Sequence, residues 1–148
     1  MFKYSNSKII DQNVNKVFEV VIDVENYPKF IPWCYGAKII SKSENEIIAD
    51  LIILFKAVNL KYTSRVIIEN NIKNTGIALI ETKMIKGPFK FLESSWKLKK
   101  VDETTTFIDF NIKFLLKSKL LEKLLTKLFN NACSKILNSF NDHIKNSP

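Results

Sequence analysis

The sequence predicts an α+β fold in which a curved antiparallel sheet wraps around a long C-terminal helix. Three observations predict it. Alternating apolar runs, separated by turn residues, fill the middle of the chain. One short amphipathic helix precedes them. The C-terminal stretch is a helix whose apolar arc is too wide for a single contact surface.

The elements follow in order. Residues 2–11 read as a first strand. Asn13 then caps a helix whose apolar face is Val14, Val17, Phe18, Val21 and Ile22, and that helix ends near Asp23. Tyr27-Pro28 and Ile31-Pro32 favour extended geometry before each proline and leave room only for a short helical turn between them. Ala49, Leu51, Ile53 and Phe55 share one strand face. Leu60, Tyr62, Ser64, Val66 and Ile68 share another. Further strands run through Ile77–Thr82, through 89–100 with Leu92, Trp96 and Leu98 on one side, and through Ile108, Phe110, Ile112 and Phe114. Asn74-Thr75-Gly76, Gly87-Pro88 and Asp102-Glu103-Thr104 punctuate them as short turns, so the strands form a meander. A last helix is expected over Ser118–Ile144, with leucines from Leu120 to Leu128 and then Phe129, Ile136, Phe140 and Ile144 spread over roughly 200° of its surface.

Length and composition narrow the function. One domain over all 148 residues is long enough to bury a core, and no apolar run approaches the ~20 residues that span a bilayer. The polar start, Met1 to Asn6, does not read as a signal peptide, so a cytoplasmic protein is expected, in contact at most peripherally with the inner membrane. Cys34 and Cys133 stand far apart beside a single histidine, which argues against a zinc site or a disulfide framework. The net charge of +8 is uneven, with +1 over residues 1–82 and +7 over 83–148. A basic C-terminal half favours an anionic partner, lipid headgroup or RNA phosphate. The 22 lysines against one arginine, with 20 isoleucines and 15 asparagines, also bear the mark of A/T-rich codons, so a solvated surface explains part of the charge.

Strand, helix, meander and final long helix is the order of the helix-grip fold. Local motifs sharpen the comparison. Asp23-Val-Glu-Asn-Tyr-Pro-Lys-Phe-Ile-Pro-Trp-Cys34, Phe55-Lys56 with Tyr62-Thr-Ser-Arg-Val66, and Gly87-Pro-Phe-Lys-Phe-Leu92 with Trp96 resemble successive motifs of the coenzyme Q-binding START-domain family. Its bacterial members include a ribosome association toxin and proteins labelled oligoketide cyclase or lipid transport. The resemblance implies a lipophilic-ligand cavity and a ubiquinone-like quinone as ligand, with no other cofactor.

Each candidate residue has a plainer reading beside the functional one. Tyr27, Phe30, Pro32 and Trp33 form either a stiff core plug or a lid over a cavity mouth. Phe55, Phe89, Phe91, Trp96, Phe110 and Phe114 are core aromatics by default, yet 11 phenylalanines suffice to line a pocket as well. Tyr62 and Ser64 supply hydroxyls on one strand face that would orient a ligand oxygen. Leu121, Leu125 and Leu128 would form the helix wall of the pocket, and Lys119, Lys123, Lys127 and Lys135 a basic band on its outer face. Cys34 has no base nearby in sequence and reads as a small buried residue. Arg65 reads as an outward strand residue paired with an acid such as Glu81, and His143 as a surface residue at a helix C-terminus. Enzyme motifs such as GxSxG, HExxH and GxGxxG are missing. The sequence therefore favours a monomeric, non-enzymatic carrier or chaperone for a polyisoprenoid quinone or similar lipid, supporting respiration. The alternatives are a ribosome-associated toxin that binds the large subunit and blocks subunit association, and a polyketide cyclase-like enzyme.

Overall fold

Asn13 starts the first helix as the sequence predicts: its side-chain oxygen accepts from the Asn15 N–H at 2.9 Å, while its amide donates to the Glu103 carbonyl at 2.8 Å. The computed structural model describes residues 1–55 and 58–146; Lys56 of the second motif lies outside the described residues. The strands are β1 (Phe2–Ile10), β2 (Cys34–Lys42), β3 (Glu46–Phe55), β4 (Val58–Asn71), β5 (Ile77–Lys86), β6 (Phe89–Asp102) and β7 (Thr105–Leu116). The helices are α1 (Val14–Ile22), α2 (Ile72–Thr75), α3 (Lys119–Cys133) and α4 (Ile136–Lys145). All strands form one antiparallel sheet in the order β1-β7-β6-β5-β4-β3-β2. This is a curved sheet holding the C-terminal helices, the helix-grip architecture.

Four local expectations change. The long C-terminal helix is broken after Cys133. The Ser134 hydroxyl donates to the Asn131 carbonyl at 2.7 Å, and the Lys135 N–H donates to Ala132 three residues back. Such local bonds compete with the α-helical ladder. The break explains the wide apolar arc. α3 turns Leu125, Phe129 and Cys133 onto one core cluster with Phe2, Phe89 and Phe114, and α4 turns Ile136, Leu137, Phe140 and Ile144 onto a second with Val17, Trp96 and Phe110.

Strand β2 is absent from the sequence reading because bulges at Cys34/Gly36 and Ile39/Ser41 shift its alternation. It lies at the sheet edge, where the Glu25 carboxylate accepts from the Ile39 N–H at 2.9 Å. The helical turn near the prolines spans Val24–Lys29, so it contains Pro28 and does not lie between the two. Arg65 pairs with Glu46 at 3.5 Å and not with Glu81. Both acids stand opposite Ile67, one on each neighbouring strand, and the guanidinium two residues along turns to β3.

Between α1 and the sheet, fully buried Thr106 donates its hydroxyl to the Gln12 carbonyl at 2.7 Å. Thr106→Val keeps the shape and leaves that carbonyl unpaired. It should cost about 1–2 kcal/mol, read as a lower urea midpoint with an unchanged m-value.

Candidate functional site

The meander and helices leave a cavity of about 120 Å³ inside the grip. Its walls come from the end of α1 (Val21), the 24–33 segment, the inner face of the sheet, and Phe129, Ile136 and Phe140 from the two C-terminal helices. Inner-face periodicity puts Leu51 and Ile53 of β3, Tyr62, Ser64 and Val66 of β4, and Leu92, Ser94 and Trp96 of β6 on this wall.

The sequence-derived candidates separate into two groups. Tyr27, Trp33, Tyr62, Ser64, Trp96 and Phe110 line the cavity. Phe55, Phe89, Phe114, Leu121, Leu125 and Leu128 belong to the second core cluster instead and do not line it. Phe89 and Phe114 are fully buried against each other at 5.5 Å, and Phe114 packs on Phe129 at 4.9 Å. The expected pocket lining along the whole C-terminal helix is therefore shorter, because the break gives α3 its own core to cover. Phe91 points to the outer side, its ring 5.9 Å from the Lys113 ammonium.

The proline-aromatic segment is part plug and part wall. Tyr27 donates its hydroxyl to the Val21 carbonyl, which ties the segment to α1. Phe30 sits outside the cavity, edge-on to Phe140 at 5.0 Å and stacked on His143 at 4.0 Å. His143 is thus half-buried under the segment rather than a bare surface residue. Pro32 is exposed and only shapes the loop. Half-buried Trp33 lines the cavity and stacks on Phe55 at 6.1 Å.

The polar groups that the described residues place inside are all uncharged. Tyr62 and Ser64 have no side-chain hydrogen-bond partner among the described residues, although Ser64 is 5% exposed. Two further hydroxyls, Thr82 and Ser94, bond each other at 2.6 Å on the adjacent strands. Sequence reasoning missed that pair; the signal was there, because Thr82 shares the phase of buried Ile80, and Ser94 that of Leu92 and Trp96. Gly87 permits this arrangement. Its φ of +156° and a Cβ site 2.7 Å from the Tyr62 Cβ leave no room for a side chain beside Tyr62.

Burial pushes the Cys34 thiol up to about 11, opposed by its bond to the Gly36 carbonyl, and pushes the Tyr62 and Tyr27 phenols above their ordinary value. All three are protonated at neutral pH. No group of three or more His, Cys, Asp or Glu able to hold a metal occurs among the described residues. No described helix is long and apolar enough to cross a membrane. Lys119, Lys123 and Lys127 are exposed on α3, away from the cavity, whereas Lys135, expected in the same band, is exposed in the break between α3 and α4.

Residues 10–141 match the family described as polyketide cyclase / dehydrase and lipid transport. The chain belongs to that family. The ribosome association toxin RatA of Rickettsia prowazekii is 39% identical over 145 residues, covering 98% of this chain and 97% of that protein. The mitochondrial coenzyme Q-binding protein COQ10 of Drosophila melanogaster is 26% identical over 146 residues, 96% of this chain and 58% of that protein. The crystal structure of the Zhui aromatase/cyclase from a Streptomyces species superposes with a TM-score of 0.83 at 13% identity, over 97% of this chain and 93% of that one. The START-type resemblance carried by the three sequence motifs is thereby shown, and the last likeness concerns the fold alone.

The raised thiol predicts an alkaline loss of stability. The unfolded thiol ionises near its ordinary value of 9.0 and the folded one only near 11. Between those values the unfolded state binds fewer protons, so stability falls as pH rises; it is full below pH 9. Urea midpoints measured from pH 8 to 11 should decline, and decline less in Cys34→Ala.

Proposed function

We propose that this protein binds a neutral lipophilic molecule with a flat, oxygen-bearing head group, a ubiquinone-like quinone being the fitting case, and acts as its carrier or chaperone. The observation that carries the reading is the pair of hydroxyls, Tyr62 and Ser64, that face a largely apolar cavity with no side-chain partner among the described residues. A buried hydroxyl gains when it donates to a carbonyl oxygen, and a quinone presents two such oxygens on a flat ring that aromatic walls accept. Among the described residues, the lining contains no charged side chain. A carboxylate or phosphate head would be buried there without a counter-charge, at a cost of several kcal/mol or more. Neutral lipophiles are thus favoured over fatty acids and phospholipid heads.

The cavity volume fits a ring better than a chain, since pockets that hold drug-sized ligands run to about 300–1,000 Å³. An isoprenoid tail needs added space, which the half-buried Leu121 and Leu128 of α3 would yield on moving. Each tail CH₂ taken from water contributes about 0.8 kcal/mol. Binding is favoured over cyclase chemistry because, among the described residues, the titratable groups of the lining, Tyr27, Cys34 and Tyr62, are protonated at neutral pH and none is poised as a base.

A second reading is supported by the 39% identity to a ribosome association toxin over almost the whole chain. There the protein binds the large ribosomal subunit, with the exposed lysines of the C-terminal helices meeting rRNA phosphates.

The two tryptophans, Trp33 and Trp96, both line the cavity, so a quinone bound there quenches their fluorescence. Titration with a short-tailed ubiquinone analogue should quench the purified protein to saturation. Tyr62→Phe and Ser64→Ala should each weaken binding about fivefold, one hydrogen bond's worth, with little change in thermal unfolding. A chain that shows no saturable quenching does not bind quinone in this cavity.

A further inference from the structure

The wide apolar arc that breaking the C-terminal helix explains is not wholly buried. Leu120 is 79% exposed and Leu124 46% exposed, one turn apart on α3. Lys119, Lys123 and Lys127 flank them, all exposed, and none makes an ion pair among the described residues. Helix stability does not account for this pattern. Two leucines facing water on one ridge lose hydrophobic stabilisation, and Lys119 stands at the first helical position, where the helix dipole disfavours a cation. We propose that α3 lies flat on an anionic lipid bilayer, with Leu120 and Leu124 in the boundary between headgroups and acyl chains and the three lysines on the lipid phosphates.

The pairing of groups selects the partner. An interfacial helix carries an apolar ridge beside lysines that reach back to the phosphate level, which is the arrangement here. A nucleic-acid backbone would match the lysines and leave both leucines in water or against phosphate. The opposite side of α3 is already engaged, since Leu125, Phe129 and Cys133 are buried in the second core cluster. The ring contact of Phe129 with Phe55, at 5.1 Å, brings the end of β3 beside that engaged side of the helix. The proposal names the surface from which a lipophilic ligand would be exchanged, and in that sense it rests on the ligand reading above.

The test is flotation of the full chain with vesicles of phosphatidylcholine alone and of an equal mixture with phosphatidylglycerol. Wild type should float with the anionic mixture and not with phosphatidylcholine. Lys119→Gln/Lys123→Gln/Lys127→Gln should lose about a hundredfold in affinity, near fivefold per lysine. Leu120→Ser/Leu124→Ser should lose about tenfold at constant charge. Both variants should retain wild-type quinone quenching and unfolding midpoint; if the serine pair unfolds, Leu120→Ala/Leu124→Ala replaces it. Wild type that stays at the bottom of the gradient overturns the proposal. So does a leucine variant that floats like wild type, and so does tight co-sedimentation of wild type with large ribosomal subunits that the lysine variant alone loses. Intact flotation without quinone quenching would instead sink the cavity reading and leave this surface standing.

Discussion

The structure turns on how Phe140 is buried. Its ring meets Trp96 of the sheet at 4.7 Å, and Tyr27 and Phe30 of the 24–33 segment at 5.5 and 5.0 Å. One side chain of α4 therefore joins the three layers of the grip: sheet, helix and covering segment. The sheet presents Trp96 and Phe110 together beneath it: they are directly opposed on β6 and β7, with their rings tilted at 4.6 Å. The segment must double back with a helical turn to lay Tyr27 and Phe30 over it. The helix must break at Ser134 so that α4 points inward here while α3 serves another core.

The cavity follows from the same contacts. The rings around Phe140 are too large to collapse on one another, and the neighbouring positions of β4, β5 and β6 carry Ser64, Thr82 and Ser94. Those side chains are short, and their hydroxyls resist dry packing. Replacing them with isoleucine or leucine would fill the space and stabilise an empty protein. A sheet that gives up apolar volume at adjacent inward positions sacrifices stability, and a ligand that supplies both volume and acceptors restores it. The disposition of polar groups thus says more than the volume: Thr82 and Ser94 satisfy each other, while Tyr62 and Ser64 have no side-chain partner among the described residues.

Much of this was legible in the residues, for physical reasons. The cap at Asn13, the face of α1 and the alternation of β4, β6 and β7 are local signals, and local signals are what a sequence displays. Tyr62 and Ser64 could be paired because strand period alone puts them on one face. The missed features were non-local or broke a period. Bulges hid β2, and the partner of Arg65 depended on which strand lay beside it. Apolar periodicity carried the reading straight through Ser134, because a helix and a broken helix share one hydrophobic pattern when both halves are buried. Nine candidates lie outside the cavity, and the six of them that belong to the second core cluster share that origin, since an aromatic or leucine in a buried phase reads alike whether it faces a void or another ring.

The two exposed leucines show where that ambiguity becomes informative. An unbroken helix gripped by the sheet would have used its whole apolar arc inside. Once the break divides the helix, α3 has one core face to cover, and the rest of its arc has no intramolecular use. Side chains kept apolar where they face water, beside lysines with no ion pair among the described residues, cost hydrophobic stabilisation without any return within the fold. Drift toward A/T-rich codons accounts for lysine anywhere on the surface, these three included; it does not account for leucine kept exposed at two positions one turn apart. The constraint that shapes this face therefore comes from outside the chain, whereas the one that shapes Tyr62 and Ser64 comes from within the cavity. The two can be altered separately, because none of the residues of either set touches the other.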